Sequence, residues 1–511
     1  MNKLKTFILT KSDRGNRYVY DRKKNSNLLC NPVLHHILQL VQEGTDIRKW
    51  IDNLESDPVE IENCGVVAKG DLEYYYKKYL FLKKKEFFIE PEIESFPQDP
   101  IKPEFVEYSL ANSRQVTFEV TERCSLNCKY CGYGHFYNIY DKRKGTDMDI
   151  DVAIQFLTYL VKYWNSPLNV SHGKTVFISF YGGEPLENIK FIKEIVRFAK
   201  NLRLLHNQVR FSMTTNALLL EKYMDIMVDN NFNLLISLDG NKKNNSYRIY
   251  KNGKPVFDDI LRNINALRDN YPDYFRDKVN FNAVLHDMNS VSEIHDFFKE
   301  NFDKIPRIGQ LKNIGIKNAR QSDFWKMYSS INESLYNNAK KSTNVKNEMF
   351  IELPDIKNLS IFLLKHSGFV YEDYRHLLSP VGSQKQSPTG TCNPFSRRIF
   401  VTANGKLLPC ETIAHQFYLG KVKKDNVELD FIDVAQKYNT YFKKMLDQCN
   451  RCYYKEACGS CIFNLMFVDN NPVCDDRMDH SRFSRYLSAH ISQFEKEPKL
   501  YSKIMEEVTL D

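Results

Sequence analysis

The sequence predicts an α/β fold, with a parallel sheet or barrel in mid-chain, a small α+β unit before it and a cysteine-rich unit after it. Three observations predict this. From about Gln115, short β-rich runs alternate with helical runs, the pattern of successive βα units. The segment Glu90-Pro-Glu-Ile-Glu-Ser-Phe-Pro-Gln-Asp-Pro-Ile-Lys-Pro103, with four prolines and several acidic residues, reads as a linker. Ten of the 12 cysteines fall into two groups, at 124–131 and 392–474. The 511 residues suffice for about three domains at ~150 residues each.

Composition narrows the function classes. Seventy-two basic against 64 acidic residues give a net charge of +8, too mild for a nucleic-acid-binding chain of this length. There is no run of ~20 apolar residues to span a membrane. The basic N-terminus, Met1 to Thr10, has too short an apolar stretch for a signal peptide. The expected compartment is the cytoplasm, whose reducing conditions disfavour structural disulfides, so the clustered cysteines read as metal or iron–sulfur ligands. Cys30 and Cys64 stand apart and read as small hydrophobes.

The elements follow in order. Lys5–Thr10 and Arg17–Asp21 form a hairpin, with Asn27–Cys30 as a third strand. Pro32 opens a helix to about Glu43, Thr45 caps a second helix to Leu54, and Asp71–Lys85 is a third. Beyond the linker, strands are expected at Gln115–Thr121, Lys174–Tyr181, Val209–Thr214, Asn233–Leu238 and Val279–Leu285. Helices are expected at Met148–Trp164, Leu186–Leu205, Ala217–Asn230, Val256–Asp269 and Val291–Asn301. A further helical pattern covers Phe324–Asn338. The resulting units are 1–103, 104–317, a helical bridge over 318–385, and 386–511. Active sites of such folds lie at the C-terminal ends of the strands.

The informative residues fall at those ends. After the first strand comes Cys124-Ser-Leu-Asn-Cys128-Lys-Tyr-Cys131. Three thiolates so close together suit three irons of a 4Fe–4S cluster, leaving the fourth iron open; a zinc knuckle is the competing reading. After the second strand comes Tyr181-Gly-Gly-Glu-Pro185, where glycines permit close backbone approach to a ligand and Glu184 suits an ammonium group. Thr214-Thr-Asn216 follows the third strand, and Ser237-Leu-Asp-Gly240 the fourth, with Arg248 beyond. Any one of these runs serves equally as a turn or helix cap. Together they line one rim.

Over about residues 112–310 these motifs resemble those of the radical S-adenosylmethionine (SAM) enzymes. The resemblance implies a partial (β/α)6 TIM-like barrel with a 4Fe–4S cluster on Cys124, Cys128 and Cys131, whose open iron is chelated by SAM. It implies that Gly182 and Glu184 meet the SAM amino group, with Gly183 in the same cofactor-binding pocket. Thr215 or Asn216, with Ser237, would meet the ribose or carboxylate. Arg248 would pair with the carboxylate, and Tyr130 would lie near the adenine. Asn216-Ala217 stands where the family often has Asn-Gly. An electron donor such as flavodoxin or ferredoxin is implied as a partner.

The C-terminal cysteines are Cys392, Cys410, Cys449, Cys452, Cys458, Cys461 and Cys474, with Arg397–Gly405 reading as a strand and turn. They resemble the SPASM domain of radical SAM peptide-modifying enzymes, which holds two auxiliary clusters. Two residues separate Cys458 from Cys461, where three are usual. The resemblance assigns Cys449, Cys452, Cys458 and Cys474 to one cluster and Cys392, Cys410 and Cys461 to the other. No cysteine lies between Val381 and Thr391 to complete the latter, which leaves an open iron, a non-cysteine ligand or a lost cluster; structural zinc is the alternative for the whole domain. Glu411 stands where sulfatase-maturating relatives carry an aspartate proposed as a base.

The N-terminal order of three strands and three helices resembles the winged-helix-like domains that bind leader peptides in peptide natural-product maturation. The expected function is modification of a ribosomally made precursor peptide, forming an intramolecular thioether or carbon–carbon crosslink. The alternatives are an anaerobic sulfatase-maturating enzyme and a non-catalytic peptide-binding module.

Overall fold

The computed structural model describes residues 4–62, 64–90, 96–97, 99–338, 343–367, 387–468 and 470–507. Its N-terminal unit begins with an antiparallel sheet of β1 (Phe7–Lys11), β2 (Arg17–Asp21) and β3 (Ser26–Leu29). α1 (Pro32–Gln42) starts on a proline, whose missing N–H costs nothing there, and the Asn31 side chain accepts from the Val33 N–H. α2 (Ile47–Asp52) is capped by Asp46, which accepts from the Lys49 N–H, and not by Thr45. A carboxylate at that position also meets the helix dipole, while the Thr45 N–H closes the end of α1 on the Leu40 carbonyl. A hairpin of β4 (Val59–Ile61) and β5 (Gly65–Val67) precedes α3 (Lys69–Lys84). Strands of three residues are too short for alternation to show, so no local pattern marks them. Phe7, Val19, Ile37, Leu38, Ile51 and Leu72 fill a core of this unit's own.

Parts of the expected linker lie outside the described residues. At its end Pro103 opens a helix, α4 (Pro103–Ala111), that leads into the barrel. The barrel strands are β6 (Gln115–Thr121), β7 (Thr175–Gly182), β8 (Gln208–Thr215), β9 (Asn233–Ser237), β10 (Val279–Leu285) and β11 (Arg307–Gln310). They pair in parallel, in sequence order. The crossovers carry α5 (Ile150–Trp164), α6 (Ile189–Lys200), α7 (Leu220–Asp229), α8 (Phe257–Asn270), α9 (Pro272–Lys278) and α10 (Val291–Phe302). The last strand, with sequence Arg-Ile-Gly-Gln, has too little apolar character to be read as a strand.

The helical pattern at 324–338 is two helices, α11 (Gln321–Met327) and α12 (Ile331–Asn337), because Ser330 caps the second by accepting from the Glu333 N–H. α13 (Thr343–Glu348) and α14 (Pro354–His366) follow. The remainder of the expected bridge to 385 lies outside the described residues.

The C-terminal region is not built as a separate layer. β12 (Ile399–Val401) pairs in parallel with β6, and β13 (Lys406–Leu408), β14 (Gly420–Val422) and β15 (Val427–Glu428) continue antiparallel, giving one ten-stranded sheet. Glu119 of β6 joins the two parts. It is 2% exposed, pairs with Arg143 at 2.7 Å and accepts from the Ala403 N–H at 2.9 Å. α15 (Phe431–Asn450), the hairpin β16 (Met466–Val468) and β17 (Asn471–Val473), α16 (His480–Lys496) and α17 (Lys499–Glu507) complete the chain.

The N-terminal sheet docks on α16, where the Ser484 and Ser488 hydroxyls donate to the Leu9 and Lys11 carbonyls and the Tyr18 hydroxyl donates to Glu495. Among the described residues no helix is long and apolar enough to cross a membrane.

Asn439 of α15 clamps the chain entering α4. Its side chain accepts from the Ile101 N–H at 3.0 Å and donates to the Ile101 carbonyl at 2.8 Å, in a buried setting. Asn439→Ala leaves both backbone groups unpaired and should lower the unfolding free energy by about 2 kcal/mol in chemical denaturation.

Candidate active site

Every motif singled out in the barrel lies at the C-terminal end of a strand. β6 leads into the cysteine loop, β7 into Gly183-Glu184, β8 into Asn216 and β9 into Asp239. The cysteine loop is held from two sides. Its Asn127 and Lys129 N–H groups donate to the Ile249 and Tyr247 carbonyls, so it pairs with the segment that carries Arg248. On the other side the Gly183 and Glu184 N–H groups donate to the Thr121 and Arg123 carbonyls, each at 2.8 Å.

The two glycines are explained by this second contact. Gly182 has φ +132°, and a Cβ on it would meet the Thr121 carbonyl oxygen at 2.5 Å. A Cβ on Gly183 would lie 1.9 Å from the Arg123 carbonyl oxygen. The close approach expected toward a ligand is therefore, in the first place, an approach to the cysteine loop itself.

Cys124, Cys128 and Cys131 are half-buried, and each of the latter two acts electrostatically on Cys124. Burial pushes the Cys124 thiol up to about 12 and the Cys128 thiol up to about 11. The positive charge of bound iron is what would hold such thiols as thiolates. Three closely spaced thiolates are a donor set that fits three irons of a 4Fe–4S cube.

Glu184 is 1% exposed. Its carboxylate accepts from the Thr215 hydroxyl (2.7 Å), the Asn216 N–H (2.7 Å) and the Leu186 N–H (3.2 Å). Burial outweighs these bonds and raises its pKa to about 7. Thr215, expected to meet SAM, thus holds Glu184, and its hydroxyl also accepts from the Ala217 N–H. Asn216 points its amide at the Cys124 sulfur, 3.7 Å away. Ala217 has φ +64°, the left-handed conformation that explains why glycine suits this position. Ser237 is half-buried at the end of β9.

Arg248 has a partner that the sequence reading did not assign. Its Nε and Nη2 donate to the two carboxylate oxygens of Asp239, each at 3.0 Å, leaving Nη1 out of both bonds. Asp239 is fully buried and also accepts from the Tyr130 hydroxyl and, at 2.9 Å, from the Val284 N–H. Tyr130 therefore spans from the cysteine loop to β9, with the Arg248 guanidinium 5.5 Å from its ring centre and His286 stacked at 5.7 Å. Asp239 was visible in the sequence as part of Ser237-Leu-Asp-Gly240, but its role needs the fold.

The C-terminal cysteines separate into two sets. Cys449, Cys452, Cys458 and Cys474 line a cavity of about 260 Å³. Cys410 and Cys392 act on Cys461. None of the twelve cysteines is joined in a disulfide. Glu411 receives a hydrogen bond from Arg398 (2.6 Å) on one oxygen, while the other is buried without a partner. Tyr140 lies between the two cysteine regions, within the electrostatic reach of Cys131, Cys410 and Glu411. Tyr181 lies within the electrostatic reach of Glu411, Cys131 and Tyr140. Tyr140 carries no motif and could not be found from the sequence. Arg397 is exposed, and the buried His415 is 3.4 Å from Asp141.

The comparisons agree with this geometry. Residues 118–300 match the model of the Radical SAM superfamily. This part of the chain is a radical SAM domain, the kind of enzyme domain that uses a 4Fe–4S cluster and S-adenosylmethionine. It is similar to the radical SAM cyclopropyl synthase TigE of Paramaledivibacter caminithermalis, 22% identical over 71% of this chain and 72% of that protein. It is 31% identical to a cysteine-type anaerobic sulfatase-maturating enzyme of Clostridium novyi, over 35% of this chain and 46% of the relative. An uncharacterized Methanocaldococcus jannaschii protein is 32% identical over 30% of this chain and 49% of its own length. The match thus spans about half the length of the latter two relatives. The solved structure of native anSMEcpe with bound AdoMet and Kp18Cys peptide shares the fold, with a TM-score of 0.51 and 17% identity over 77% of this chain and 99% of that one.

Asp239→Asn removes the charge that balances the buried Arg248 guanidinium. It should cost about 3–5 kcal/mol of stability in chemical denaturation.

Proposed function

We propose that this enzyme modifies a ribosomally made precursor peptide by hydrogen abstraction, forming an intramolecular thioether or carbon–carbon crosslink. The observation that carries the reading is the conjunction of three cysteine sets in one chain: the loop after β6, the four that line the cavity, and the group of Cys392, Cys410 and Cys461, of which Cys392 and Cys410 flank the strands β12 and β13 that extend the barrel sheet. The N-terminal unit supports it. β3 is an edge strand, with β2 as its one neighbour in the sheet, and an extended leader peptide would add to such an edge. The similarity to TigE, which extends well beyond the barrel, favours the same reading.

In this reading Cys124, Cys128 and Cys131 hold the first cluster, and the C-terminal sets hold two auxiliary clusters. Bound there, the cluster and SAM would supply radical chemistry able to remove a hydrogen atom from an unactivated carbon. The protein's own residues bind and orient. Glu184 takes the SAM ammonium group, with its carboxylate aimed by Thr215 and the Asn216 N–H. Arg248, with its charge balanced by Asp239, offers Nη1 to the SAM carboxylate. Gly182, Gly183, Asn216, Ser237 and Tyr130 complete that pocket. Glu411 accepts a substrate proton on its unpartnered oxygen, while Arg398 holds the other. Tyr140 and Tyr181 wall the space between the two cysteine regions. The electron donor is a flavodoxin or ferredoxin, and the protein works in the cytoplasm.

Formation of formylglycine on a sulfatase is the second reading, favoured by the 31% identity to the sulfatase-maturating enzyme. Anaerobic co-expression with the short open reading frame nearest the gene, followed by tandem mass spectrometry, separates the two. Loss of paired hydrogens localised to two linked residues, absent with the Cys124→Ala/Cys128→Ala/Cys131→Ala variant, is the expected result. An unmodified precursor together with formylglycine on a sulfatase peptide would refute it.

The raised pKa of Glu184 gives a pH signature. Only the ionised carboxylate pairs with an ammonium group, so SAM affinity should be flat above pH about 7 and fall about tenfold per unit below it. Equilibrium binding across pH 5–8.5 measures this, and Glu184→Gln should bind weakly with no such slope.

A further inference from the structure

Tyr438 is a buried polar side chain with no explanation in the fold. It lies on α15, is 0% exposed, and its hydroxyl has no hydrogen-bond partner. An unpaired buried hydroxyl is destabilising, and phenylalanine would fill the same space without that cost. The ring is fixed by Phe463, edge-on at 5.0 Å, and by Phe442 at 6.1 Å. Phe463 lies two residues beyond Cys461, and its N–H donates to the Cys461 sulfur. The groups that act on the Tyr438 hydroxyl are the thiols of Cys461, Cys410 and Cys392. Buried beside thiolates, a phenol stays protonated and is a donor. Lys312, just past β11, donates to the Thr412 carbonyl and has Cys410 and Cys461 as its neighbours. Donors and positive charge thus gather around the cysteine set that lacks a fourth cysteine.

We propose that the Tyr438 hydroxyl donates a hydrogen bond to a sulfur of the iron–sulfur centre held by Cys392, Cys410 and Cys461, and thereby raises the reduction potential of that centre. The proposal rests on the auxiliary-cluster reading above. A hydrogen bond to a cluster sulfur favours the more negative, reduced state, so its loss moves the potential down. Tyr438 is a positioning and tuning residue in this scheme and does not ligate iron.

The test uses the full-length Cys124→Ala/Cys128→Ala/Cys131→Ala protein, reconstituted anaerobically, so that only auxiliary centres are observed. Iron content and redox titration followed by electron paramagnetic resonance are measured, and Cys410→Ala identifies the signal of interest. Tyr438→Phe should keep the iron content and move the midpoint of the Cys410-dependent signal to a more negative value. Tyr441→Phe, one turn along on the same helix, should leave it in place. An unchanged midpoint in Tyr438→Phe, an equal shift in Tyr441→Phe, or loss of iron in Tyr438→Phe would each overturn the proposal, the last by making the oxygen a ligand. If the parent shows no Cys410-dependent iron, the auxiliary-cluster reading itself fails, an outcome distinct from a cluster whose potential ignores Tyr438.

Discussion

The strand Gln115–Thr121 is the member on which the rest of the structure depends. A partial barrel leaves its first strand with an unpaired edge, and exposed edges of this kind invite unwanted pairing. Here the edge is covered by Ile399–Val401 from the other end of the chain, in parallel register. The same strand delivers the cysteine loop at its C-terminal end, and its inward-facing Glu119 ties Arg143 and the Ala403 backbone to one buried carboxylate. Burial raises the pKa of that carboxyl despite Arg143. The strand joins the barrel to the C-terminal cysteines through hydrogen bonds rather than through a flexible tether.

A second layer of constraint surrounds the cysteine loop. Gly182 and Gly183 let β7 press against residues 121–123, and the Asp239–Arg248 pair anchors Tyr130 from the far side. The loop is thus braced by backbone on one flank and by a buried ion pair on the other. Such an ion pair contributes little net stability, since desolvation offsets attraction, but it admits one geometry only. Glu184, Thr215 and Asn216 form a comparable brace across β7 and β8.

Much of this was legible in the sequence because local pattern and function coincide in the barrel. Five of the six barrel strands show period-two or continuous apolar runs, and the motif residues follow each strand directly. What was hidden depended on partners distant in sequence. Nothing local marks Ile399–Val401 as a neighbour of Val116–Phe118, so the barrel and the C-terminal cysteine region read as separate units rather than as parts of one sheet. The hairpin at 59–67 and the strand Arg307–Gln310 are too short or too polar to show periodicity. Asp46 displaced Thr45 as a helix cap because adjacent residues compete for the role on geometry alone. Thr215 and Arg248 read as ligand contacts, and residue type does not reveal that each also holds an internal partner, Glu184 or Asp239. Tyr438 read as an ordinary aromatic on a helix, since burial without a partner is a property of three dimensions.

The continuous sheet has a consequence for how the cysteine regions are held. Ten strands run hydrogen-bonded edge to edge, from β11 at one end to β15 at the other, so the cysteine loop after β6 and the cysteines that flank β12 and β13 are tied to one frame. That frame behaves as a ruler laid between the two cysteine regions.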